Sequence, residues 1–173
     1  MEDMIDLTPL ETVPSEAVER LLDRAFGTDR HRRTAYRLRE GIRAIPTLSF
    51  AAIEDGVLIG SIQCWPVLFE GDGGETAPMV LVGPVAVAPE RQQAGIGRQL
   101  MEASLAAAHD QRLDDAMMLV GDPEYYARFF GFSAERTEGW RLPGPFEPRR
   151  LLARGERVPD APGVILPHVM ASA

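Results

Sequence analysis

The sequence predicts a mixed α/β fold, with a mixed central sheet flanked by helices. Three observations carry that expectation. Apolar patterns follow the order β-α-α-β-β-β-α-β-α along most of the chain. Three successive β-like segments are joined by glycine-rich turns, which reads as an antiparallel meander. The last of these segments runs through a two-glycine loop directly into a helical pattern. With 173 residues and 45% hydrophobic content, the chain suits one domain, 1–173, with a full core.

A short extended segment is expected at 4–7. Ser15 is a candidate N-cap, with Glu16 in the first turn. Val18, Leu21, Leu22, Ala25 and Phe26 then repeat at helical spacing, and Gly27 ends the run. A second helix is expected over 30–45, striped by Ala35, Leu38, Ile42 and Ile45 and stopped by Pro46. Strands at 48–53 and 57–69 flank Glu54-Asp55-Gly56, a hairpin signal. Gly71-Asp72-Gly73-Gly74 makes the next turn, and 78–87 the next strand. A helix at 96–111 buries Leu100, Met101, Ser104, Leu105 and Ala108 along one side. A short buried strand follows at 117–120. Asp122-Pro123 is an N-cap followed by proline at the first helical position, and the helix it opens carries Tyr125, Tyr126 and Phe129 before ending near Gly131. Beyond Gly139 the chain is rich in proline, with short strands expected at 139–142 and 151–153.

Charge and composition exclude several functions. A net charge of -8 argues against nonspecific nucleic-acid binding. All 18 basic residues are arginine, so neither a Schiff-base lysine nor a Walker-type phosphate lysine is available. Cys64 is the lone cysteine, which rules out an internal disulfide and points to a reducing, cytoplasmic compartment. His31, His109 and His168 show no metal-ligand spacing, and no metal is expected. The start Met1-Glu2-Asp3-Met4-Ile5-Asp6 is acidic, unlike a secretory signal, and no apolar run approaches membrane-spanning length.

The run Val85-Ala86-Val87-Ala88-Pro89, followed by Gln92-Gln93-Ala94-Gly95-Ile96-Gly97-Arg98, is the most informative stretch. A strand, a glycine loop and a helix N-terminus form an anion site, because the first N–H groups of the helix have no intrahelical acceptor. The Rossmann pattern fails, since Leu100 stands where a third glycine belongs. Gln/Arg-x-x-Gly-x-Gly/Ala is met by Gln92 to Gly97. This loop resembles the pyrophosphate loop of the GNAT N-acetyltransferase superfamily. Leu119-Val120-Gly121-Asp122-Pro123-Glu124-Tyr125-Tyr126 and Gly131-Phe132 resemble the strand, helix and Gly-Phe pair that close that family's cofactor site. Gly139-Trp140-Arg141-Leu142-Pro143 and Gly163-Val164-Ile165 look like its YhbS-like branch. The resemblance covers about 4–154 and leaves 155–173 as a C-terminal extension.

The resemblance implies a GNAT fold, with the sheet splayed between its fourth and fifth strands. It implies acetyl-CoA as co-substrate, with the diphosphate on the N–H groups around Gln93 to Arg98. Gly95 and Gly97, lacking Cβ, admit phosphate oxygens close to the backbone. Arg91 or Arg98 is a candidate for the 3′-phosphate. Val85, Ala86 and Val87 would pair with pantetheine amides as a sheet edge pairs with a peptide, and Pro84 suits a strand lacking some ladder bonds. A backbone N–H near Val87 would polarise the acetyl carbonyl.

The implied reaction is direct attack of a primary amine on the thioester, with Tyr126 or Tyr125 as the acid that serves the departing thiolate. The family's usual tyrosine lies four residues before the glycine, where this chain has Ala127, and Phe129-Phe130 looks like a one-residue insertion. An insertion at the helix end leaves Tyr126 in role; one that shifts the helix leaves Tyr125 or neither. Gly121-Asp122 replaces an asparagine common in the family. No carboxylate lies within 79–87, so a water relay is expected as base, and Glu70, Asp72 and Glu75 fall on an exposed turn. Cys64 on a strand reads as buried and inert. Arg30, Arg32, Arg33, Arg37, Arg39 and Arg43 form either a solvated helix face or a selector for an anionic acceptor.

The expected acceptor is a small-molecule amine or a peptide or protein amine. No nucleic-acid or membrane partner is expected, and the chain is expected as a monomer or homodimer. The alternatives are a non-catalytic acyl-CoA-binding or regulatory module on the same fold, and a dinucleotide-binding protein that NAD would stabilise more than CoA.

Overall fold

The computed structural model describes residues 5–168. Met4 of the first expected segment, and the first residues of the acidic start, lie outside them. Strand β1 (Ile5–Pro9) leads through a 3-10 turn to helix α1 (Ser15–Phe26). Ser15 is the first helical residue rather than the cap; Pro14 holds the cap position, with no side-chain cap bond.

The expected second helix over 30–45 does not form. The chain instead makes a 3-10 segment at Thr28–Arg32 and a single α turn, α2 (Thr34–Arg37), and Gly41 sits in the left-handed region at φ 74°. The arginines explain the break, because they are drawn in different directions. Arg30 pairs with Glu19 and Asp23 on α1. Arg37 donates to the carbonyl of Pro143 at 2.8 Å. Arg39 lies over the rings of Tyr36 and Trp65. One straight helix could not serve all three, so tertiary contacts override the apolar period.

The meander follows as expected. Strands β2 (Phe50–Glu54), β3 (Val57–Gly71) and β4 (Thr76–Val87) pair antiparallel. Asp55 and Gly56 join β2 to β3 with φ of 51° and 76°, the two positive values a tight primed turn requires. Helix α3 (Ile96–Asp110) then crosses to β5 (Met117–Val120), which lies parallel to β4. Helix α4 (Pro123–Phe130) precedes β6 (Trp140–Arg141), β7 (Leu151–Arg154) and β8 (Gly163–Pro167). The sheet order is β1-β2-β3-β4-β5-β7. β8 pairs with the second half of β3 and with β6, so this part of the expected extension is built into the sheet.

Side chains alternate between two cores. Val80, Val82, Met117 and Leu119 pack with Ile96, Leu100 and Met101 of α3. Met79, Leu81 and Met118 pack on the other side with Trp65, Trp140 and Ile165. Both faces are covered, so these strands read as near-continuous apolar runs. Near the end of β4, Ala86 and Ala88 pack with Leu21 and Leu22 of α1. Thus α1 and α3 clamp the segment that leads into the glycine loop.

Candidate active site

The sheet opens where the sequence predicts. β4 and β5 pair only at Val80–Met117 and Leu81–Met118, while β4 continues to Val87 and β5 to Val120. A bulge in β4 accompanies the opening. The register with β3 passes from Ile62–Val85 to Cys64–Val82, so residues 83 and 84 of β4 oppose one residue of β3. Gly83 has φ 123° within it, and its carbonyl accepts the indole N–H of Trp65 at 2.7 Å.

This bulge decides which backbone groups face the opening. Val80 donates its N–H to Ala116 on the β5 side, while Ala88 donates to Ile59 on β3. An unbroken strand would point both to one edge. The extra residue sends them to opposite edges, and alternation then turns the N–H groups of Val85 and Val87 into the gap. Ala86, named with them from sequence, turns its N–H towards β3 instead. The same geometry sets the side chains of Val85 and Val87 against α3, where a Cβ on Gly97 would meet them at 3.8 and 3.7 Å.

The glycine loop has the form an anion site requires. Gln93 has φ 74°, and Gly95, the N-cap of α3, has φ 79°. Left-handed residues in such a loop turn successive N–H groups towards one concave face. Gly95 offers no side-chain cap, so the first N–H groups of α3, at Ile96, Gly97 and Arg98, are left for a ligand. The Gln92 amide reaches back to the Val87 carbonyl at 3.5 Å. Both arginines considered for a 3′-phosphate have carboxylate contacts. Arg91 pairs with Glu54 at 2.6 Å. Arg98 pairs with Glu102 at 3.1 Å and lies over the Phe129 ring. The Arg98 pair is exposed and so contributes little.

Across the gap, α4 starts as expected: Asp122 Oδ1 accepts the N–H of Glu124 at 3.1 Å, with Pro123 at the first turn. The helix stays regular to Phe130 and closes on Gly131 at φ 72°. The N–H of Phe132 reaches back six residues to the carbonyl of Tyr126 at 3.2 Å. The common glycine-capped closure spans five. The closure here is thus one residue longer, and within it Phe129 is exposed and Phe130 enters the core.

The Tyr126 ring packs against Gly121, whose absent side chain makes room for it. A Cβ there would stand 2.5 Å from Cε2. Tyr125 packs edge-on against Tyr126, with centroids 5.0 Å apart. Burial holds both phenols above the ordinary tyrosine pKa, Tyr125 adding to the shift at Tyr126 and Arg150 opposing it.

Two cavities meet at these rings. One, of about 250 Å³, runs from Gln92 and Gly97 past Val85 and Val87 to the two tyrosines. The other, of about 470 Å³, lies between the β4 bulge, the end of β5 and the 30–39 segment, and it too reaches both tyrosines. Phe26, Val85 and Met101 line both. Of the residues expected at the site, Val85, Val87, Gln92, Gly97, Tyr125 and Tyr126 line the smaller cavity, which adjoins the larger chamber. Sequence reasoning missed Gly121 as the seat of the Tyr126 ring, the bulge at Gly83-Pro84, and the places of Tyr36 and Arg150 in the larger chamber; of the arginines it weighed as an acceptor selector, Arg30, Arg33 and Arg39 line that chamber.

Cys64 has no part in this site. It is fully buried, and burial pushes its thiol up to about 12, far from a nucleophilic thiolate. Among the described residues no group of three or more His, Cys, Asp or Glu is arranged to hold a metal ion. No helix among them is long and apolar enough to cross a membrane.

A sheet opened beside a bulged strand, with backbone donors on the open edge and a glycine-capped helix N-terminus at its end, defines an acyl-CoA-dependent acyltransferase. The chain belongs to the acetyltransferase (GNAT) family, whose model matches residues 15–132. It is similar over its length to the GNAT family N-acetyltransferase YhbS of Escherichia coli, solved in complex with CoA: 25% identity, TM-score 0.68, covering 96% of this chain and 89% of that one. A GNAT family acetyltransferase of Brucella melitensis, solved with acetyl-CoA, shares 26% identity with a TM-score of 0.67, covering 96% of this chain and 97% of that one. Saccharomyces cerevisiae N-myristoyltransferase, solved with myristoyl-CoA, is alike in fold alone: 13% identity, TM-score 0.53, 70% of this chain and 30% of that one. A comparison with curated proteins found no match.

Proposed function

We propose that the protein is an acetyl-CoA-dependent N-acetyltransferase that moves an acetyl group to a primary amine by direct attack on the thioester. The observation that carries this reading is the edge switch in β4, which turns the Val85 and Val87 N–H groups into a gap that also holds Tyr126. The loop N–H groups of Ile96, Gly97 and Arg98 receive the diphosphate. The open edge at Val85 and Val87 pairs with the pantetheine arm, and the Val87 N–H polarises the thioester carbonyl, an oxyanion-hole role. The two relatives solved with CoA and acetyl-CoA support the choice of donor.

The amine enters through the larger chamber. Its nitrogen forms the C–N bond as the C–S bond breaks. The Tyr126 hydroxyl gives its proton to the departing sulfur. The longer closure at the end of α4 supports Tyr126 in that role, because a one-residue insertion of the kind the family resemblance implies would be absorbed there and leave the start of the helix in register. Tyr125 shapes the same wall. The amine proton leaves through water: among the described residues Asp122 is the one carboxylate lining the chamber, and its Oδ1 is engaged as a helix cap.

The test is release of CoA thiol from acetyl-CoA with a panel of small amines, peptides and aminoglycosides. Amine-dependent release supports the reading. Tight binding of acetyl-CoA with no acceleration by any amine would make the protein a binding module instead.

A further inference from the structure

The larger chamber has a charge that the rest of the molecule does not lead one to expect. The protein carries a net charge of -8, yet among the described residues Arg30, Arg33, Arg39 and Arg150 line this cavity against a single carboxylate, Asp122. These cations are not equivalent. Arg30 is buried and engaged by Glu19 and Asp23. Arg33 lies over the Phe26 ring, and its Nη2 is 3.4 Å from the Phe26 carbonyl oxygen. Arg150 is exposed at the rim, close enough to Tyr126 to oppose the rise of its pKa.

Arg39 is the distinctive member. Its guanidinium lies over two aromatic rings, 4.9 Å from the Tyr36 centroid and 5.3 Å from that of Trp65. Among the described residues no carboxylate forms an ion pair with it. Burial, with Arg30 nearby, brings it down to about 10, which still leaves it charged at neutral pH. The two rings hold the guanidinium, and among the described residues no side chain or backbone group hydrogen-bonds to its N–H groups. A planar, preoriented fork of this kind matches a carboxylate or a phosphate in bidentate geometry. A half-buried cation with no carboxylate in direct contact also carries a desolvation cost, which the more distant Glu19 compensates only in part and an incoming anion offsets further.

Resting on the acyl-transfer reading above, we propose that the acceptor is a small amine bearing a carboxylate or phosphate, and that Arg39 binds this anionic group in the chamber while the amine faces Tyr126. Arg33 and Arg150 add to the positive field that draws the acceptor in. The volume of about 470 Å³ suits a small molecule. The donor's own phosphates are served elsewhere, by the loop at residues 92–97 in the adjoining cavity. Arg39 is thus a specificity residue for the acceptor and takes no part in the chemical step.

The test compares matched amines that differ in the anion alone: phosphoethanolamine against ethanolamine, and β-alanine against β-alaninamide. Calorimetry on the CoA-loaded protein gives the affinity of each, and thiol release gives turnover. The expected result is that at least one anionic member binds about tenfold or more tighter than its neutral partner, a difference of about 1.4 kcal/mol. Preference for phosphoethanolamine alone identifies a phosphate, and preference within both pairs a general anion site. Arg39→Met brings the ratio to about one, and Arg39→Lys, which keeps the charge on a different geometry, restores part of it. A structural role for Arg39 would lower Tm in Arg39→Met without moving the ratio. Equal affinity within both pairs, a ratio untouched by Arg39→Met, or a loss of CoA affinity in its place would each overturn the proposal. Anion-selective binding without turnover of any amine would leave the anion site standing and remove the acyl-transfer reading.

Discussion

The Tyr126 ring lies on Gly121 so closely that a Cβ at residue 121 would stand 2.5 Å from Cε2 and 2.9 Å from Cδ2. A side chain at 121 therefore has to displace the ring. Gly121→Ala is expected to lower kcat/KM by about 10²-fold, the scale of losing a positioned general acid, with acetyl-CoA affinity retained. Steady-state kinetics with direct titration of acetyl-CoA checks this. An equal loss in affinity would mean that Gly121 serves the donor site instead.

The two loop glycines differ in what they require. Gly95 holds φ 79° with open space around a would-be Cβ, whereas Gly97 is helical and its Cβ would make ordinary contacts with Val85 and Val87. A left-handed conformation costs an L residue about 1–2 kcal/mol. Gly95→Ala should therefore lower stability by about that much and weaken acetyl-CoA binding, and Gly97→Ala should show smaller effects on both. Thermal unfolding and calorimetry distinguish them, and the reverse order would refute this account of the loop.

The pH profile follows from the direction of the Tyr126 shift. Burial raises this phenol, so its proton is retained to higher pH than in an ordinary tyrosine. Activity that needs the protonated phenol is complete at neutral pH and falls only as pH rises through that raised value, above about 10. The ascending limb of kcat/KM belongs to deprotonation of the acceptor amine. A descending limb at neutral pH that is present in the wild type and missing in Tyr126→Phe would contradict the assigned shift.

Cys64 gives a negative control. Its buried thiol, pushed up to about 12, should resist alkylating reagents in the folded protein, and no acetyl adduct should accumulate on the chain. Cys64→Ala is expected to cost about 1 kcal/mol through the small void it leaves and to retain turnover. Intact-mass analysis during the reaction checks both statements. An acetylated Cys64 would replace direct attack with a covalent route.

Much of the donor side was legible in sequence because its signals are local. The two glycines of the loop, the Asp122-Pro123 helix start and the alternating apolar strands each act within a few residues. What escaped was set by distant partners. The β4 bulge appears only when residues are counted on two strands at once, between Ile62–Val85 and Cys64–Val82. Gly121 looked like a missing asparagine, and its role became visible only with the Tyr126 ring in place. The 30–45 stripe satisfied a helical period, but Arg30, Arg37 and Arg39 answer to α1, to Pro143 and to Trp65, all outside the segment. The walls of the larger chamber are built from these contacts, which is why the loop pointed to an acyl-CoA donor while the chamber beside it stayed out of view.

The central claim is that the β4–β5 opening carries acyl transfer with Tyr126 as the acid. Its most direct test is the rate of amine-dependent CoA thiol release by wild type and Tyr126→Phe at saturating acetyl-CoA, with the dissociation constant for acetyl-CoA measured on both. Loss of the Tyr126 proton donor is expected to lower kcat by about 10²-fold at nearly constant affinity. Equal rates for the two proteins, or no amine-dependent release from either, would contradict it.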